Sequence, residues 1–271
     1  MVLVAALATP HNAGVKLDLD RYAERVGLGA LPAPSIDGLH QLHRAQALAI
    51  PFENFDVLLG RPVRLDVGSL EAKLVRRKRG GYCFELNGLL LGVLLAQGYS
   101  VTPLLGRVYY QRNPEDGVRP RTHQITRVSV GGQDFLVDVG FGSPTPRAPL
   151  RFELGLEQDL EGEVFRLTDA GLLGTQLEHR GPEGWALLYT FEPHRAHPAD
   201  YELSNHYTQT HPASRFRQGP RVARLLERGM RTMSALKVVE GSQEMATPRG
   251  EALLALLRER FGIELDRAPE W

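Results

Sequence analysis

Apolar positions recur at helical spacing through the first hundred residues and in short strand-like runs after them. Leu17 to Gly27 reads as a short helix, with Asp residues at its start and Gly27 at its end. After the break Leu31-Pro32-Ala33-Pro34, Ser35 is placed to cap a second helix with Leu39, Leu42, Ala45, Leu48 and Ala49 on one face, and Pro51 stops it. Phe52 to Gly60 reads as a loop with apolar anchors. Ser69 is expected to cap a third helix running into Arg76-Arg77-Lys78-Arg79, a charge run that suits a helix C-terminus. Gly80-Gly81 reads as a turn, and Leu86, Leu89, Leu90, Val93 and Leu94 predict a helix ending at Gly98. From Ser100 the texture changes to strands at 101–110, 123–130, 133–139, 164–167, 175–179 and 185–191, separated by turn residues. Short strands in series predict an antiparallel sheet or small barrel. The remainder reads as a mixed cap with helical patches at 200–208 and 250–261.

Length allows a sizeable core and two or three subdomains in 271 residues. Charge balances, 32 basic against 32 acidic side chains, which argues against a nucleic-acid partner or an anionic membrane surface. Lys78, Arg79, Arg107, Arg119 and Arg121 leave room for a local basic region and an anionic ligand. The apolar start, Met1 to Ala8, is short and without preceding basic residues, so it reads poorly as a signal peptide, and the run 89–96 is too short to span a bilayer. A single cysteine excludes an internal disulfide, so a reducing, cytoplasmic setting is expected.

That cysteine, Cys83, stands in Arg79-Gly80-Gly81-Tyr82-Cys83-Phe84-Glu85-Leu86-Asn87, at a loop-to-helix junction. The free amides and partial positive charge of a helix N-terminus favour a thiolate, so Cys83 reads as a nucleophile; a buried structural thiol is the alternative. A nucleophilic cysteine needs a base and a group that orients the base. Gly131-Gly132 marks a hairpin between strands holding His123 and Asp138. With those glycines at the turn, Asp138 falls opposite Ile125, which shares a sheet face with His123. The two become diagonal neighbours, roughly 7–8 Å apart at the backbone. A histidine satisfied within the sheet and an aspartate capping the loop at Gly140 remain the alternative. Paired histidines at 194/197 and 206/211 have no cysteine partner and no zinc spacing, so no metal is expected.

Three segments, 79–87, Thr122-His123 and Asp138-Val139-Gly140-Phe141-Gly142, resemble the signature segments of the arylamine N-acetyltransferases in order and spacing, and Pro51-Phe52-Glu53-Asn54 is similar to a fourth. The entry into the chain at 18–22 and the stretches 185–191 and 214–216 also resemble that family, so the likeness spans nearly the whole chain. It implies an α+β fold: a helical N-terminal domain (1–98) carrying the nucleophile, a central antiparallel β-barrel (99–197) carrying His and Asp, and a C-terminal α/β lid (198–271), with a cysteine-protease-like Cys-His-Asp core. Cys83, His123 and Asp138 would be catalytic. Glu53 and Arg79 would brace the site as a buried pair. Phe52, Val108, Phe141 and Phe216 would line the substrate pocket, with core packing as the alternative, and Gly140 and Gly142 would lie where acetyl-CoA enters. The resemblance further implies acetyl-CoA as co-substrate, an arylamine or arylhydrazine as acceptor, and ping-pong transfer through acetyl-cysteine, with no nucleic-acid or membrane partner. An amide synthase using a larger acyl thioester shares these features. A cysteine hydrolase and a catalytically silent binding module are the remaining alternatives.

Overall fold

Asp18 accepts the backbone N–H of Arg21 and Gly27 adopts φ 77°, so helix α1 (Leu19–Val26) starts and stops where its sequence caps stand. The structure is a computed structural model that describes residues 17–112 and 117–271; the apolar start at Met1 to Ala8 lies outside the described residues. Ser35 caps α2 (Ile36–Ala49) by accepting the Gly38 N–H. The segment after Pro51 differs from the expected loop: it forms a one-turn helix, α3 (Phe55–Leu58). Asp66, not Ser69, caps α4 (Val67–Leu70), because the Ser69 N–H is the donor that Asp66 receives. The helix continues as a π-turn over Glu71–Arg76.

Helix α5 (Cys83–Ala96) is buried on nearly every side, from Phe84 and Leu86 through Leu94. It lies between the helical unit and strands β1 (Ser100–Val108) and β2 (Arg121–Val130). Those strands belong to an eight-stranded antiparallel sheet that also holds β3 (Gln133–Val137), β4 (Leu150–Arg151), β5 (Gln158–Asp159), β6 (Val164–Asp169), β7 (Thr175–Gly181) and β8 (Gly184–Phe191). Its order, β4-β3-β2-β1-β8-β7-β6-β5, curls it into a nearly closed barrel filled by Leu104, Ile125, Leu136, Phe165, Leu177 and Tyr189. The two-residue strands β4 and β5 are too short for any periodicity to mark.

The β2–β3 hairpin has the expected register, Val130 opposite Gln133 and Thr126 opposite Val137. Gly131 and Gly132 take φ 59° and 73°, the paired positive values a two-residue turn of matching twist requires. Pairing stops at Val137, so Asp138 is the first residue past the ladder.

The C-terminal part holds helices α6 (Pro198–Thr210) and α7 (Gly250–Leu256), as expected. It also holds a second antiparallel sheet of β9 (Val222–Leu225), β10 (Met230–Met233), β11 (Lys237–Glu240) and β12 (Gln243–Ala246). Residue patterning gave only helical patches here, although the resemblance implied an α/β lid, because these strands are four residues long and β12 is exposed throughout. Val222, Met233 and Val238 pack on Leu253, Leu257 and Phe261 in a core of their own, to which Phe55 of α3 contributes. Phe52 ties the parts together, bridging Gly81 on one side and Ala223 of β9 on the other.

Candidate active site

Cys83 is the first residue of α5, and its lead-in is extended rather than turned. Gly81 pairs with Phe52, and neither Gly80 nor Gly81 has a left-handed φ. The glycines are needed for close approach: a Cβ on Gly80 would stand 2.3 Å from the Pro51 carbonyl oxygen, and one on Gly81 2.8 Å from Glu85. The Glu85 carboxylate accepts the Tyr82 N–H at 3.1 Å, fixing the first turn of the helix. The buried thiol of Cys83 lies 3.6 Å from the Thr122 carbonyl oxygen.

His123 and Asp138 meet in the interior: imidazole Nε2 donates to Asp138 Oδ2 across 2.7 Å, with side chains 2% and 0% exposed. That leaves Nδ1 for the thiol, and Cys83 is among the groups that favour the charged ring. Burial opposes a charged imidazole, but the Asp138 carboxylate, together with Cys83, outweighs it and pushes His123 up to about 10. Burial likewise works against ionised Asp138, yet His123 and two further donors hold it below the usual carboxylate range. Those donors are Asn87 Nδ2, at 2.8 Å, and the Gly140 N–H, at 3.0 Å. Asn87 also donates to the Gln124 carbonyl at 2.6 Å and accepts the Val139 N–H at 2.9 Å. It therefore clamps the end of the hairpin to α5. Its spacing of four from Cys83 puts both on one helix face, a signal the sequence offered. Tyr189 on β8 tilts over the His123 ring at 4.8 Å between centroids, and no motif marked it.

A cavity of about 550 Å³ opens onto this group. Cys83, His123, Phe52, Val108, Gly140, Phe141, Gly142 and Phe216 all line it. Phe141 packs edge-on against His123 at 5.3 Å, and Phe216 packs on Phe52 and Tyr82. Gly140 faces inward as much as toward the cavity: a Cβ there would stand 2.9 Å from Cys83 Cα and 2.8 Å from Asn87 Nδ2. Among the described residues no group of three or more His, Cys, Asp or Glu side chains is placed to hold a metal ion. No described helix is long and apolar enough to cross a membrane.

The N-acetyltransferase family profile matches residues 35–270. An arylamine N-acetyltransferase of Mycolicibacterium smegmatis is 38% identical over 92% of this chain and 93% of its own length. The chain belongs to the arylamine N-acetyltransferase family. A Salmonella typhimurium relative named as both an arylamine N-acetyltransferase and an N-hydroxyarylamine O-acetyltransferase is 35% identical, over 90% of this chain and 88% of its own. The solved structure of the Mycobacterium marinum arylamine N-acetyltransferase in complex with CoA superposes with a TM-score of 0.86 at 36% identity, covering 91% of this chain and 93% of that one.

In this acetyltransferase the pair Glu53–Arg79 is buried, not superficial, with Arg79 Nε and Nη2 donating to Glu53 Oε1 at 2.9 and 2.6 Å. It is one end of a longer chain of charges. Arg79 reaches Asp56 at 3.3 Å, and Lys73 Nζ bridges Asp56 and Glu85 at 2.7 Å each. Five buried ionisable groups thus run from the Phe52 segment to the cap of the Cys83 helix. Burial raises the Glu85 carboxyl to about 7 against the opposing pull of Lys73. Sequence reading missed Asp56, Lys73 and Glu85, because the Lys73 contacts span 12 or more residues and no local spacing reports them.

The expected basic region does not form as one group: Arg79 is held by Glu53 and Asp56, and of its members only Arg119 lines the cavity. Arg107 and Arg121 share the carboxylate of Glu192. Arg112, Arg119, Arg215 and Arg221 line the cavity instead.

Proposed function

We propose that this chain transfers the acetyl group of acetyl-CoA to arylamines or arylhydrazines through an acetyl-Cys83 intermediate. The observation that carries this reading is the buried His123–Asp138 couple, whose imidazole lines a mostly apolar cavity together with the only cysteine. Asp138 keeps the imidazole protonated, and the imidazolium is the cationic partner for the attacking Cys83 sulfur. The thiolate attacks the thioester carbonyl, the carbon–sulfur bond to CoA breaks, and His123 supplies the proton that leaves with CoA. The cavity, freed of CoA, admits the aromatic amine between Phe52, Phe141 and Phe216. Its nitrogen attacks acetyl-Cys83, His123 takes the N–H proton, and the amide departs as the thiolate re-forms. Two half-reactions sharing one covalent intermediate give ping-pong kinetics.

The test is intact mass after mixing with acetyl-CoA in the absence of amine. A stable gain of one acetyl group, absent in Cys83→Ala, supports transfer. CoA release without an adduct supports hydrolysis, acylation only by a bulkier thioester supports an amide synthase, and no reaction with any thioester overturns the enzymatic reading.

A further inference from the structure

The chain has no net charge, yet four arginines from two connections, β1–β2 and α6–β9, converge on the rim of the Cys83 cavity. Arg112 follows β1, Arg119 precedes β2, Arg215 begins a short 3-10 turn, and Arg221 leads into β9. Arg215 and Arg221 are half-buried. None of the four pairs with a carboxylate among the described residues, whereas Arg107 and Arg121 close by share Glu192. The bonds made by Arg215 and Arg221 are long ones: to the Tyr110 carbonyl and Gln111 Oε1 at 3.3 Å each, and to the Arg215 carbonyl at 3.4 Å. Each guanidinium carries five N–H donors, so most of these point to no protein acceptor. The charges also oppose one another. Burial first, then Arg221, Arg112 and Arg119, bring Arg215 down to about 10. A cluster of like charges held half out of water is costly until an anion joins it.

We propose that Arg112, Arg119, Arg215 and Arg221 form a cradle for the phosphate groups of the acyl donor, so that this enzyme selects thioesters by the phosphorylated nucleotide they carry. The proposal rests on the acetyl-CoA reading above. The guanidinium fork matches phosphate oxygens in pairs, and the cavity leads from the rim to Cys83. A pantetheine thioester without phosphate enters the same cavity but leaves the cradle unfilled. The competing source of negative charge is an acidic acceptor, such as an aminobenzoate.

The experiment measures Cys83 acetylation by acetyl-CoA and by S-acetylpantetheine in the wild-type chain, in Arg215→Gln, in Arg221→Gln and in the double variant. Each substitution is expected to raise the half-saturating concentration of acetyl-CoA about 10-fold, and to weaken its salt dependence, with less than about a 2-fold change for S-acetylpantetheine. Thermal midpoints are expected to hold or rise, because a repelling charge has been removed; a purely structural role predicts a fall. Parallel losses with both donors, or no loss with either, overturn the proposal. So does a selective rise in KM for 4-aminobenzoate over aniline with acetyl-CoA unaffected, which would place the anion on the acceptor. If neither donor acetylates Cys83, the transferase reading fails on its own. Calorimetric titration with CoA then still decides the cradle: weaker binding by the double variant supports it and equal binding overturns it.

Discussion

Replacing Asp138 by Asn removes one charge and almost no volume from the center of the site. The carboxylate is fully buried and accepts from His123, Asn87 and the Gly140 N–H. An amide can still accept from one of the last two, so the hairpin end stays docked. What changes is the imidazole: Asp138 supplies the largest pull raising His123 from 6.5 to about 10. Without it, burial opposes the charged ring with little to offset it, and His123 is neutral at pH 7. The thiol then loses its cationic partner. An unassisted thiol is only about 3% thiolate at pH 7, whereas an ion-paired one is essentially all thiolate, a ratio of roughly 30. Thiolates of higher basicity are individually more nucleophilic, which trims the observable loss to about 10-fold.

The assay is the rate of Cys83 alkylation by iodoacetamide from pH 5 to 9. We expect Asp138→Asn to react about 10-fold more slowly at pH 7 and to approach the wild-type rate toward pH 9. On the proposed mechanism acetyl transfer should fall further, by about 10²- to 10⁴-fold, because His123 would also carry protons in both half-reactions. Unchanged alkylation at pH 7, in a variant whose thermal midpoint shows it folded, would refute the ion-pair argument. It would leave Asp138 as a hairpin clamp and no more.

Three other substitutions probe the surroundings. Lys73→Met leaves Asp56 and Glu85 as buried charges without their shared cation, so urea unfolding should show a loss of about 3–5 kcal/mol, partly restored in Lys73→Arg. Glu85, raised from 4.5 to about 7 by burial, contributes stability that is fully present below pH 4.5 and lost as pH rises through 7. The stability of the wild type should therefore fall relative to Glu85→Gln by about 3 kcal/mol between pH 4.5 and 8, and parallel pH curves would show that Lys73 keeps Glu85 ionised throughout. Gly140→Ala sets a methyl against Cys83 Cα and Asn87, and should cost about 1–3 kcal/mol in thermal or urea unfolding while lowering transfer activity.

The pieces of the site that sequence made legible share one property: each is fixed by a short stretch of chain. A Gly-Gly turn sets the register of β2 on β3, which carries Asp138 to the end of the ladder on the His123 face, where Asn87 holds it. Caps at Asp18 and Ser35 act within three residues. Where the sequence misled, the residue type was read for its usual local use while a distant partner decided its role. Gly80 and Gly81 looked like a turn, but they are small because Pro51 and Glu85 press on them. The arginines make the same point more sharply. Nothing local separates Arg107 and Arg121 from Arg112 and Arg119. A β-bulge at Gly106/Arg107 sets Arg107 opposite Arg121, beside the Glu192 that follows β8. Arg119 joins Arg112 on the cavity rim, where Arg215 of the 3-10 turn and Arg221 just before β9, about a hundred positions away, complete the group. Charge neutrality of the whole chain is thus a poor guide to its electrostatics. Overall balance says nothing of placement: Arg107 and Arg121 are held by Glu192, whereas Arg112, Arg119, Arg215 and Arg221 line the cavity with no carboxylate partner among the described residues.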